Sequence, residues 1–259
     1  MAALLSVQHV TKRYGGLVAN KDVSFDLDKG EILSIIGPNG AGKSTLFKLI
    51  AGFVKPTSGN IMFEGKDITG MLPHVIAERG IVRTFQETTI FKEMTALQNV
   101  VVAHHLRCHA TNWGVFFGSR RAREDELRFR DNAADILEFL GLGKVIDEPA
   151  GSLPHGYLRA LGIAMGMAAN PTVLLLDEPY AGMNPEETEA AVEMTRKIVQ
   201  RGITVILVEH DMAAVMRISD RIIVISFGSM IAEGTPTEIQ HNAAVIEAYL
   251  GREDEELGV

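Results

Sequence analysis

Residues 37–45, Gly-Pro-Asn-Gly-Ala-Gly-Lys-Ser-Thr, put three glycines ahead of a lysine and two hydroxyl side chains. The spacing is G-x-x-x-x-G-K-[ST], in which glycines let backbone N–H groups close around phosphate oxygens. Lys43 can then reach the terminal phosphates of a nucleoside triphosphate, and the Ser44 hydroxyl can ligate Mg²⁺. An acidic pair stands at Asp177-Glu178, after the apolar run Val173-Leu-Leu-Leu176. A carboxylate at that place typically holds Mg²⁺, and the adjacent Glu178 is the candidate to polarise an attacking water. A helix cap or solvated turn is the plainer reading of two neighbouring acids, and it loses weight beside a phosphate loop.

The elements that must carry these groups are legible in outline. Glu31–Ile36 is a near-continuous apolar run, as expected of a strand buried on both faces, and Ser44–Ala51 reads as a helix ending at Gly52. The phosphate motif therefore sits between strand and helix, where the helix N-terminus favours an anion. Leu5–Val10, Asp22–Leu27 and Ile61–Glu64 predict a β-rich opening. From roughly residue 95 to 142 strand signals vanish, and Leu127, Ala133, Ala134, Leu137 and Leu140 approximate helical spacing. Val173–Leu176, Ile203–Val208 and Ile222–Ser226 predict buried parallel strands, separated by helices at Pro185–Arg201 and Met212–Ser219.

Together these motifs resemble the ATP-binding subunits of ABC transporters over nearly the whole chain, in the family's order. Tyr14, in Arg13-Tyr-Gly-Gly16, is similar to the aromatic residue that stacks on adenine. Gln86, in Arg83-Thr-Phe-Gln86, resembles the glutamine that contacts Mg²⁺ and senses the transmembrane partner. Leu153-Pro-His-Gly-Tyr157 occupies the place of the signature peptide, and Ala181-Gly-Met-Asn-Pro185 that of the loop crossing to a second subunit. His210, in Glu209-His-Asp211, resembles the switch histidine near the γ-phosphate. Taken singly, Tyr14 also reads as a half-buried strand residue, Gln86 as a surface glutamine and His210 as a satisfied core histidine.

The resemblance implies an α/β fold, a P-loop NTPase nucleotide-binding domain with a RecA-like core, an antiparallel β subdomain and a helical subdomain at about residues 95–160. It implies ATP and Mg²⁺ as ligands. Nucleotide would be held by Tyr14, Gly37, Pro38, Asn39, Gly40, Ala41, Gly42, Lys43, Ser44, Thr45 and Gln86, and metal by Ser44, Gln86 and Asp177. Glu178, His210 and Lys43 would carry hydrolysis. Leu153, Pro154, His155, Gly156 and Asn184 would serve the ATP held by a partner subunit. Where the family commonly has Leu-Ser-Gly-Gly-Gln, this chain lacks the serine hydroxyl and one backbone N–H at Pro154. That leaves either an impaired composite site or a working variant in which His155 or helix N-terminal amides donate.

Several features resemble the hydrophobic amino-acid uptake branch of bacterial importers, among them Thr84-Phe-Gln86, the ending Val245-Ile-Glu-Ala-Tyr-Leu250 and the long segment around His104–Arg130. The implied partners are a second, paralogous ATPase subunit, two permease subunits and, indirectly, a periplasmic solute-binding protein, at the cytoplasmic face of the inner membrane. Urea, amide or aromatic-acid importers are the nearest alternatives, then a non-transport ABC ATPase or a regulatory nucleotide-binding subunit. Asn20-Lys-Asp-Val23 fails the guanine motif Asn-Lys-x-Asp at its last position. Trp113, Phe116 and Phe117 with Arg120, Arg121 and Arg123 suggest a permease or membrane contact, or the packing of a helical hairpin with a solvated basic face.

Composition narrows the class further. The net charge of −8 provides no global footprint for nucleic acid. No apolar run reaches the roughly 18–20 residues of a membrane span. Residues 1–14 lack the basic and apolar regions of a signal peptide, and the single Cys108 fits a reducing compartment. With His210 so near the C-terminus, no large regulatory domain is expected after it.

Overall fold

Every residue of the strand Ile32–Ile36 (β3) is buried, which accounts for its unbroken apolar sequence. The computed structural model describes residues 3–84, 90–104 and 120–256, with backbone only at 122 and 250–256. These fall into two compact units, one of residues 1–76 with 175–259 and one of residues 77–174.

The first unit begins with an antiparallel sheet of Leu5–Tyr14 (β1), Leu17–Leu27 (β2), Ser58–Phe63 (β4) and Lys66–Asp67 (β5), ordered β2-β1-β4-β5. β1 and β2 run longer than the alternation predicts. Their register shifts past Val7, where His9 and Asp22 adopt positive φ, so the inward–outward pattern breaks while pairing continues. Lys43–Ile50 (α1) follows β3, and Pro73–Arg79 (α2) closes the segment.

The chain returns to the first unit within Val173–Asp177 (β7), followed by Pro185–Gln200, Thr204–Val208 (β8), Met212–Ile218 and Arg221–Ser226 (β9). Then follow Ser229–Gly234 (β10), Pro236–Gln240 and the C-terminal helix Ala243–Glu256. The sheet of this unit runs β10-β9-β3-β8-β7. β3 pairs in parallel with β8 and β9, whereas β10 is antiparallel to β9 through the tight turn at Phe227-Gly228. The parallel-sheet expectation therefore holds for the interior, and a hairpin supplies the edge. The C-terminal helix packs Val245 and Tyr249 onto a cluster that includes Ile36, Val215 and Val224. Fully burying such side chains stabilises the fold by about 1.5–3 kcal/mol each.

The second unit pairs Ile81–Arg83 (β6) with the start of β7 and packs the helices Ala96–Ala103 (α3), Arg120–Phe139 (α4) and His155–Ala168 (α5) together. Thr95 and Gln98 form a reciprocal capping box at the start of α3. At its end, buried His104 donates from Nδ1 to Val100 O (2.9 Å), sets Nε2 2.8 Å from the Asn132 side-chain amide and stacks on Phe129. The buried stripe of α4 is Asp125, Phe129, Ala133, Ile136 and Leu137, and Leu140 continues it just past the helix end. Leu127, expected on that stripe, is 64% exposed, because it lies two residues from Phe129 and so on the opposite side of a 3.6-residue helix.

Candidate nucleotide site

The phosphate loop spans the turn from β3 to α1, so both flanking elements have the expected type. Gly37 has φ +147°, and a Cβ there would lie 1.9 Å from the Ile225 carbonyl oxygen, so only glycine fits against β9. Gly42 is the N-cap of α1 at φ +103° and brings no capping side chain. The first N–H groups of α1 consequently meet no side-chain acceptor at their own cap, which suits an anion there. Lys43 is buried and its Nζ donates to the carbonyl oxygens of Gly37 (2.6 Å) and Pro38 (3.1 Å), folding its charge back over the loop. Tyr14 stands at the end of β1, 46% exposed, with the Lys12 ammonium 4.9 Å from its ring centre. An exposed ring of this kind offers a face for stacking.

Asp177 ends β7, and Glu178 follows with its N–H bonded to Val208 O of β8 (2.9 Å). Glu178 takes φ +51°, a left-handed conformation that costs a non-glycine residue about 1–2 kcal/mol. His210 faces it: Nδ1 lies 3.6 Å from Glu178 Oε1, adjacent but beyond hydrogen-bond length. The His210 side chain is 52% exposed, which removes the core-histidine reading. β3, β8 and β7 are neighbours in one sheet, so the phosphate loop, His210 and the acidic pair leave it along the same C-terminal edge.

Ser44 and Asp177 present oxygen donors, the type that Mg²⁺ accepts. Among the described residues no group of three or more His, Cys, Asp or Glu gathers in metal-binding geometry. A cation here would thus rely on phosphate oxygens and water for most of its shell, as Mg²⁺ characteristically does. Gln86 lies outside the described residues, as do Trp113, Phe116 and Phe117. Arg120, Arg121 and Arg123 are exposed in the first turn of α4, with Arg120 paired to Glu124 at 2.8 Å.

Sequence reasoning passed over Glu209. Its side chain is 1% exposed and its carboxylate accepts three backbone N–H groups, from Tyr180 (2.7 Å), His210 (2.9 Å) and Asp211 (3.4 Å). One buried anion thereby ties the turn after Glu178 to the segment carrying His210. An acid closing an unbroken apolar strand was the available signal, since buried carboxylates must be paired or multiply hydrogen-bonded. Tyr180, beside it, is buried and donates to Thr195 Oγ1 (2.9 Å); burial pushes its phenol well above the ordinary range, so it remains a donor. Glu209→Ala is expected to cost about 2–4 kcal/mol in denaturant unfolding, because charged hydrogen bonds are lost and buried N–H groups are stranded.

In the second unit, Pro154 is the N-cap of α5 with no side-chain cap bond, and the helix opens with His155, Gly156 and Tyr157. The first intrahelical bond runs from Leu158 N–H to Pro154 O (3.0 Å), so the amides of residues 155–157 have no intrahelical acceptor. A Cβ at Gly156 would meet nothing of the chain within 4 Å, so its own packing does not demand glycine. Back in the first unit, Asn184 is the N-cap of the helix Pro185–Gln200, its Oδ1 accepting from Glu186 and Glu187. Asn184 Oδ1 is thus engaged in the cap, and Ala181-Gly182-Met183 is the part of the loop without capping duty.

The sequence matches the family model described as "ABC transporter" over residues 20–181. The chain belongs to the ABC transporter ATP-binding family, and it is an ATPase. A second model, "Branched-chain amino acid ATP-binding cassette transporter", matches residues 229–255. The chain is 43% identical over 249 residues to the high-affinity branched-chain amino acid transport ATP-binding protein BraF of Pseudomonas aeruginosa, covering 96% of this chain and 98% of that one. It is 44% identical over 255 residues to LivG of Salmonella typhimurium, with the same coverage. The ADP conformation of MJ1267, an ATP-binding cassette of an ABC transporter, superposes with a TM-score of 0.84 at 32% identity, covering 97% of this chain and all of that one. The cassette fold expected from the motifs is therefore the fold of the chain.

Proposed function

We propose that this cassette hydrolyses ATP to power a bacterial importer of branched-chain or closely related amino acids. The observation that carries the reading is the assembly of Gly37–Thr45, Asp177-Glu178 and His210 at one sheet edge. The match at residues 229–255 supports the choice of solute class. Tyr14 stacks on adenine, the Gly37–Thr45 amides and Lys43 hold the phosphates, and Ser44, Asp177 and Gln86 hold Mg²⁺. When bound, Mg²⁺ offsets charge on the transferring phosphoryl group. Glu178 positions and deprotonates the attacking water, and His210 orients that water against the γ-phosphate. The part of the chain at about residues 95–160 serves as a helical subdomain within one ATPase domain.

The catalytic surface is split between chains: Leu153, Pro154, His155, Gly156 and the Asn184 loop complete the site whose phosphate loop belongs to a paralogous partner. ATP closes the pair and hydrolysis reopens it, a bistable element that two permease subunits can follow. The cassette thus works at the cytoplasmic face of the inner membrane. Co-purification with its permease and solute-binding protein, followed by reconstitution, tests this reading. ATP hydrolysis is expected to rise when the binding protein is loaded with leucine, isoleucine or valine. Stimulation by urea, an amide or an aromatic acid alone would reassign the solute, and failure to associate with any permease would overturn the importer.

A further inference from the structure

Two successive carbonyls of the phosphate loop are held by segments distant in sequence. Ala41 O accepts from Gly228 N–H (3.0 Å) in the β9–β10 turn. Gly42 O accepts from Leu46 N–H (3.0 Å), the first bond of α1, and also from Asn20 Nδ2 (3.2 Å) on β2. A trans peptide unit is planar, so its C=O and N–H point in opposite directions. Fixing Ala41 O therefore aims Gly42 N–H, and fixing Gly42 O aims Lys43 N–H. Both donors turn away from the clamp, as successive N–H groups do where they cup an anion.

Asn20 does this at a cost to the fold. Its side chain is wholly buried, and among the described residues its Oδ1 is the one buried side-chain oxygen or nitrogen without a hydrogen-bond partner. The neighbouring inward positions of β2 hold Val23, Phe25 and Leu27. An apolar side chain of similar volume at position 20 would avoid stranding an acceptor. A residue that stability alone disfavours, bonded to the N-cap carbonyl of the phosphate-binding helix, has its use in nucleotide binding.

We propose that Asn20 is a positioning residue for the phosphate loop, acting through the Gly42 carbonyl to aim the Lys43 N–H at bound phosphate. Asn20, in the segment that fails as a base-recognition motif, thus acts on the phosphate loop instead. The test uses the full chain with Asn20→Leu and Asn20→Ala, measuring ADP affinity, the KM and kcat for ATP, and Tm. Asn20→Leu is expected to bind ADP about 2–10-fold more weakly, the worth of one hydrogen bond, while its Tm holds or rises. KM rises with little change in kcat. Asn20→Ala loses the same factor in affinity when measured far below its own, lower Tm, and it decides the matter alone if the Leu variant does not fold. Native ADP affinity in either folded variant would overturn the proposal, and so would affinity that merely tracks Tm across the two.

Discussion

Glu178→Gln is expected to bind ATP as the native chain does and, at the composite site built on this chain's own phosphate loop, to hydrolyse it about 10²–10⁴-fold more slowly, the span usual for loss of a general base. The residue lies outside the phosphate cradle: Lys43 and the Gly37–Thr45 amides belong to the β3–α1 turn, whereas Glu178 extends from β7. Its backbone is set by the Val208 carbonyl and by the Glu209 anion that holds Tyr180, neither of which depends on the Glu178 carboxylate. Glutamine therefore keeps the shape and the left-handed turn and removes only the proton-accepting charge. ATP should then persist in the closed pair, visible as an ATP-dependent dimer by size-exclusion chromatography in the presence of the partner cassette. Lys43→Ala separates the steps from the other side, since it should lose nucleotide affinity itself. Unchanged steady-state hydrolysis by Glu178→Gln in the assembled transporter would remove Glu178 from the chemistry.

What could be read in advance divides along physical lines. β3 and α1 were legible because burial on both faces writes an unbroken apolar run and the glycine spacing marks the turn between them. β1 and β2 were legible only in part, since the register shifts at His9 and Asp22 break the period that signals a half-buried strand. β6 escaped because three residues carry too little pattern, and β10 because its residues are only partly buried at a sheet edge. Within the site, the residues visible beforehand belong to short motifs whose spacing can be read along the chain. Asn20 was not visible, and Glu209 showed only as an acid closing an apolar strand, because each acts on the backbone of segments remote in sequence. Nothing in the local pattern of Val208-Glu-His or Ala19-Asn-Lys says which amide or carbonyl will arrive beside it. Hydrogen bonds made between strands that meet only after folding leave no spacing to read.

Gly156→Asp is expected to lower hydrolysis about 10²–10³-fold at one of two composite sites, the one whose phosphate loop lies on the partner. With Pro154 as N-cap, no serine hydroxyl caps α5 or reaches for an anion, so the first-turn amides, those of Gly156 and Tyr157 among them, are what this end can offer. An aspartate at 156 would set a negative charge among those amides, against the γ-phosphate they are proposed to meet. The chain itself should tolerate the change, because a Cβ there touches nothing within 4 Å. Its own phosphate loop should keep native ADP affinity, since the substitution acts across the pair. Assigning the loss requires silencing the other site with Glu178→Gln, after which the residual rate belongs to the site that α5 completes. In that background Pro154→Ser measures what the absent hydroxyl is worth. A gain of a hundredfold would mean that the native pair hydrolyses unequally, and no gain would mean that the amides suffice. A rate in Gly156→Asp with Glu178→Gln equal to that of Glu178→Gln alone would show instead that this helix end never meets the partner's nucleotide.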